Sequence, residues 1–88
     1  GINMTYTYKT KGTCSQKIDI ELADDGKTIL DVKFTGGCNG NLKGIAALVK
    51  GKKTDEIIES LEGIKCGFKQ TSCPDQLAQA LKQINENN

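Results

Sequence analysis

The chain of 88 residues has no histidine, so any metal site it builds from soft ligands is a sulfur site. No apolar run approaches the ~20 residues of a membrane span, and the N-terminus lacks the basic region and apolar stretch of a secretory signal. Charge of one sign is also missing: 12 basic residues face 11 acidic ones, a net +1. Without a clustered basic excess, nucleic acid is not the expected partner. No linker or low-complexity segment interrupts the chain, and its length suits one domain over residues 1–88. Met4 is read as lying close to a native start, which leaves Gly1 to Asn3 outside the fold argument.

What is present is sulfur: four cysteines, Cys14 in GTCS, Cys38 in GGCNGN, Cys66 in KCGF and Cys73 in TSCPD. All lie in glycine-rich or helix-opening contexts, not in apolar runs. In a secreted mini-protein four cysteines would read as two disulfides with three pairings; in a reducing cytosol the same count reads as metal-binding or catalytic. With 36% hydrophobic residues and ordinary strand and helix patterns, the chain is expected to fold without bridges. A cytoplasmic, reduced protein is the expectation.

The first half alternates as strands do. Thr5 to Thr10 is β-rich with Tyr6 and Tyr8 on one side. Ile18, Ile20 and Leu22 alternate with Asp19 and Glu21, and Leu30, Val32 and Phe34 with Asp31, Lys33 and Thr35. Asp24-Asp25-Gly26-Lys27 between them is a hairpin turn signal. The second half has helical spacing. Leu42, Ile45, Ala46 and Val49 precede a stop at Gly51. Thr54 reads as an N-cap ahead of Asp55 and Glu56, with Ile57, Ile58 and Leu61 as the stripe and Gly63 as the end. Cys73 reads as the cap of the last helix, with Pro74 at its first position and Leu77, Ala80, Leu81 and Ile84 buried. Asn85 to Asn88 should fray. The fold class is therefore α+β: a three-stranded antiparallel meander followed by about three helices packed on one face.

Two of the thiols sit where geometry favours thiolate, the form that binds metals and attacks electrophiles. Gly36, Gly37 and Gly40 clear side chains from around Cys38 as the chain enters a helix, and Cys73 stands at a helix N-terminus. The six-residue loop from Gly67 to Ser72 is long enough to fold back and bring Cys66 to Cys73. If the strands pair as a meander, all four thiols gather at one end of the molecule. The gaps match no paired C-x₂₋₄-C knuckle, and cysteine packed as a small hydrophobe is the competing account, above all for Cys14. Pro74 and Asp75 are read as helix-opening residues and Thr71 and Ser72 as caps. Lys50, Lys52 and Lys53 read as a solvated loop, and Tyr6, Tyr8 and Phe68 as core or rim.

The string TSCPD at residues 71–75, with GTCS, GGCNGN and CGFKQTSCPDQLAQAL, resembles the TSCPD domain family, in particular its small stand-alone branch. The same domain stands at the C-terminus of adenosylcobalamin-dependent ribonucleotide reductases, where clustered cysteines suggest a metal-binding module. This resemblance implies Cys14, Cys38, Cys66 and Cys73 as one ligand set. A second likeness is to U-type iron–sulfur cluster scaffold proteins, through DVKFTGGCNG, the VKGK of 49–52 with Thr54 to Ile58, and SCPDQLAQAL. It implies Cys38, Cys66 and Cys73 as ligands. Where the scaffold carries histidine this chain has Ser72, and Asn39 and Gly40 replace its acidic residue. Cys14 has no counterpart there and would supply a fourth thiolate.

The expected function is a small metal-binding cysteine module for zinc or an iron–sulfur cluster, accessory to a reductase or iron–sulfur protein partner, with no membrane role. Four thiolates without nitrogen suit a closed, structural site. One alternative is a ribonucleoside-diphosphate reductase, or a protein associated with one. The chain carries no general acid/base pair in a motif, so a free-standing enzyme is not expected. The other alternative is a thiol-redox protein using Cys66 and Cys73, against which the absence of C-x-x-C counts.

Overall fold

In the computed structural model, which describes residues 3–13, 15–37 and 39–87, three strands precede three helices. Strands β1 (Met4–Lys9), β2 (Ser15–Leu22) and β3 (Ile29–Gly36) pair antiparallel in the order β1-β2-β3. Helices α1 (Asn39–Val49), α2 (Thr54–Leu61) and α3 (Cys73–Asn87) follow. The α+β meander read from alternation is the fold observed.

Register shows why this alternation makes a half-buried sheet. Tyr6, Ile20 and Val32 stand side by side across it, as do Tyr8, Ile18 and Phe34. A period of two puts all of these on one face. That face carries the core, in which Ile18, Ile20, Leu22 and Ile29 are fully buried with Leu77 and Leu81 of α3. α1 packs on β3, and α2 and β2 pack against α3. Removing one such side chain from water is worth about 1.5–3 kcal/mol, which is why α3, despite its polar outer face, holds its place.

The pairing departs from simple alternation twice. Between Glu21 and Leu22 the register to β3 shifts, so that Leu22 opposes Ile29 while Glu21 opposes Asp31. Leu30, expected inside, is left over at this irregularity and is 37% exposed, and Ile29 takes its place in the core. A second shift lies between Ser15 and Lys17. Gln16 and Lys17 are both exposed and Ser15 is buried, so the bulge turns Ser15 to the side opposite to that which alternation from Ile18 assigns it.

Capping differs by one residue in two places. Thr54 is the first residue of α2, not its cap; Lys53 precedes it in extended conformation and makes no side-chain cap bond. Thr54 is buried, and its Oγ1 donates to Asn85 Oδ1 at 3.4 Å. Asn85 also donates to Asp55 at 3.2 Å, and α3 runs to Asn87 instead of fraying from Asn85. At the start of α3 the cap is Ser72. Its Oγ accepts the Asp75 N–H at 3.1 Å, and its carbonyl accepts the Gln76 N–H at 2.8 Å. Cys73 is the first residue inside. The turn before β3 is held by Asp25, which accepts the N–H groups of Lys27 and Thr28 and the Thr28 hydroxyl. Those bonds, Lys27 foremost, hold the Asp25 carboxyl well below the usual carboxylate range.

Candidate functional site

The end of the molecule at which α3 begins is where the loops meet. The loop between β1 and β2, together with the first residue of β2, docks there by three contacts. The Lys11 N–H donates to Gln76 Oε1 at 3.0 Å. Gly12 has φ +74°, and a side chain on it would stand 3.1 Å from Thr71 Cγ2. Only glycine combines that backbone conformation with so close an approach. The third contact is sulfur to oxygen: the Cys73 thiol donates to Ser15 Oγ at 3.2 Å. Both side chains are buried, Ser15 at 5% and Cys73 at 8% exposure.

Cys66 reaches the same place by the turn expected from its loop length. Its N–H donates to the Thr71 carbonyl at 3.1 Å, and its own carbonyl accepts the Lys69 N–H at 3.0 Å. Gly67, at φ +58°, makes the turn. The Cys66 thiol is exposed. A hollow of about 540 Å³ lies in front of it, with mostly apolar walls formed by Gly40, Ile45 and Leu48 of α1, by Cys66, and by Cys73 and Pro74 of α3. Leu48 on this wall is 75% exposed. Phe68, in the turn after Cys66, is 105% exposed and belongs to the surface and not to the core.

Of the four cysteines expected to form a site, the structure brings Cys66 and Cys73 to one hollow. Cys14 and Cys38 lie outside the described residues. Their neighbours are described: Ser15 pairs with Gly36 in the sheet, Gly36 and Gly37 turn at φ +81° and +83° toward α1, and Gly40 lines the hollow. Among the described residues no three His, Cys, Asp or Glu side chains cluster as metal ligands do.

Behind the thiols a polar network fixes the start of α3. The Asp75 carboxylate accepts bonds from the Gly63 N–H at 2.8 Å, from the Thr71 hydroxyl and from Gln79 Nε2 at 3.3 Å. Ser72 Oγ donates to the Ile64 carbonyl at 2.7 Å, tying in the segment that follows α2. Burial acts to raise the Asp75 pKa, but the Thr71, Gly63 and Gln79 bonds and the Lys82 charge outweigh it and hold the carboxyl below its ordinary value. Sequence reasoning read Asp75 only as a helix opener. The spacing Ser72-x-x-Asp75, a capping-box pattern, was the available signal. For Ser15 there was none, because its burial depends on a bulge.

An α+β module with two thiols at the junction of a helix N-terminus and two loops is the class that fold and site define. The chain belongs to the TSCPD domain family, whose model matches residues 4–85. No curated protein and no solved structure matches it. No described helix is long and apolar enough to cross a membrane.

Proposed function

We propose that the chain is a thiolate metal-binding module, holding zinc or an iron–sulfur cluster through Cys14, Cys38, Cys66 and Cys73. The observation that carries the reading is that Cys66 and Cys73, from separate segments, line one hollow. Chain connectivity adds support. Cys14 adjoins Ser15, which is bonded to Cys73, and Cys38 lies two residues from both Gly36 and Gly40. Their described neighbours stand at this end of the molecule, Ser15 on Cys73 and Gly40 on the wall of the hollow. The donor chemistry fits the group, since thiolates suit zinc and iron–sulfur clusters alike. Such an ion or cluster would crosslink the two loops and the start of α3, and its binding free energy would add to folding.

The module serves a partner and turns over no substrate of its own. A reductase or an iron–sulfur protein is the partner class proposed, on the family's occurrence within adenosylcobalamin-dependent ribonucleotide reductases. Elemental analysis with an absorption spectrum of protein purified without added metal tests the site. About one equivalent of zinc and a featureless visible spectrum are expected for zinc, and visible charge-transfer bands for a cluster. A folded, metal-free protein with four titratable thiols that takes up neither on reconstitution would sink the reading.

A further inference from the structure

We infer that Ser15 is the positioning residue of the Cys73 ligand, its buried hydroxyl donating to the metal-bound sulfur; the inference rests on the metal-site reading above. Ser15 Oγ lies 3.2 Å from Cys73 Sγ and 3.0 Å from Thr13 Oγ1. With Cys73 as a thiol, the S–H points at Ser15 Oγ. A ligated sulfur carries no proton and can only accept, so the Ser15 O–H turns to it. Ser15 Oγ then needs a donor of its own, and the Thr13 hydroxyl stands in place. The three groups form a directed chain, Thr13 to Ser15 to Cys73, in which every hydroxyl keeps a partner in both states.

The backbone shows that this placement is specific. Counting back from Ile18, alternation would aim Ser15 at the solvent face of the sheet. The bulge between Ser15 and Lys17 reverses that and buries the side chain against the start of α3. The Ser15 carbonyl is held as well, accepting the Thr10 hydroxyl at 2.6 Å. A serine buried this firmly, with its oxygen on a sulfur, orients a ligand as outer-shell partners do in metal sites.

The test is cobalt(II) and zinc binding to the full chain, with affinity measured by competition against a chromophoric chelator and the sulfur-to-cobalt charge-transfer band recorded. Ser15→Ala is expected to lower affinity roughly 10-fold or more and to shift the band, while the metal-free variant keeps its far-UV circular dichroism. Ser15→Thr, which restores a hydroxyl, should recover both. Thr13→Val should move both in the Ala direction by less. Wild-type affinity and an unmoved band in Ser15→Ala overturn the inference alone and leave the metal site standing. Equal losses in Ser15→Ala and Ser15→Thr overturn it too, since side-chain shape and not the hydroxyl would then matter. Wild-type protein that binds neither ion removes the metal-site reading, and this inference with it.

Discussion

Asp75 shows how one side chain can stabilise a site without being a ligand. Its carboxylate accepts from a backbone N–H, a hydroxyl and an amide, and it is 7% exposed. Asp75→Ala removes the charged acceptor shared by the Gly63 N–H, the Thr71 hydroxyl and Gln79. A hydrogen bond to a charged group is worth about 1.5–3 kcal/mol, measurable here as a lower urea midpoint at unchanged m-value. The pH dependence has a definite sign. The folded carboxyl titrates below its ordinary 3.8, so its contribution is complete above that value and is lost as pH falls through it toward the folded pKa. The gap in stability between wild type and Asp75→Ala should therefore hold from neutral pH to about 5 and shrink as the pH falls below about 4. A gap that stays constant down to pH 3 would mean that the charged form is not the one bonded.

At the scale of elements, two glycines in similar-looking contexts should respond oppositely to alanine. Gly12 has φ +74° and faces Thr71 at 3.1 Å, so Gly12→Ala should cost about 1–2 kcal/mol from backbone conformation alone. It should also loosen the loop from α3. Gly44 lies inside α1 with open space where a Cβ would go, and Gly44→Ala should stabilise by roughly 0.5–1 kcal/mol. Thermal melts of both variants check the pair, and destabilisation by both would mean that α1 is packed more tightly than its open surface indicates. The same elements show what a sequence discloses. The alternation of Ile18, Ile20 and Leu22 and the stripe of Leu77, Leu81 and Ile84 are local signals of burial, and they sufficed for the fold. Bulges belong to a pair of strands, so neither the exposure of Leu30 nor the burial of Ser15 could be read from one strand alone. Ser72 and Cys73 both precede Pro74 and either could open a helix. The hydroxyl, the better acceptor for the N–H three residues on, takes the cap. The folding back of Cys66 onto α3 was legible from loop length. The hollow was not, because α1, a distant segment, contributes more than half of its wall.

For the molecule as a whole, the question is how much stability a metal at the proposed site would add. A domain of this size draws only a few kcal/mol from its core, and what binds the native state alone adds RT ln(1 + [L]/Kd), about 2.7 kcal/mol at a hundredfold excess over Kd. With ~4–8 °C per kcal/mol for such a domain, zinc at that excess should raise the melting temperature by roughly 10 to 20 °C over chelated protein. Exposure separates ligation from packing. Cys66 is exposed, so Cys66→Ser should leave the chelated protein unchanged and abolish most of the zinc-dependent rise. Cys73 is 8% exposed against the core, so Cys73→Ser should lower the melting temperature with and without zinc. Cys14→Ser and Cys38→Ser should abolish most of the rise, as Cys66→Ser does. Calorimetry of the four variants, each with zinc and with chelator, checks this. If Cys66→Ser keeps the full zinc-dependent rise, the exposed sulfur at the hollow is no ligand, and the ion must be held by the remaining thiols without it.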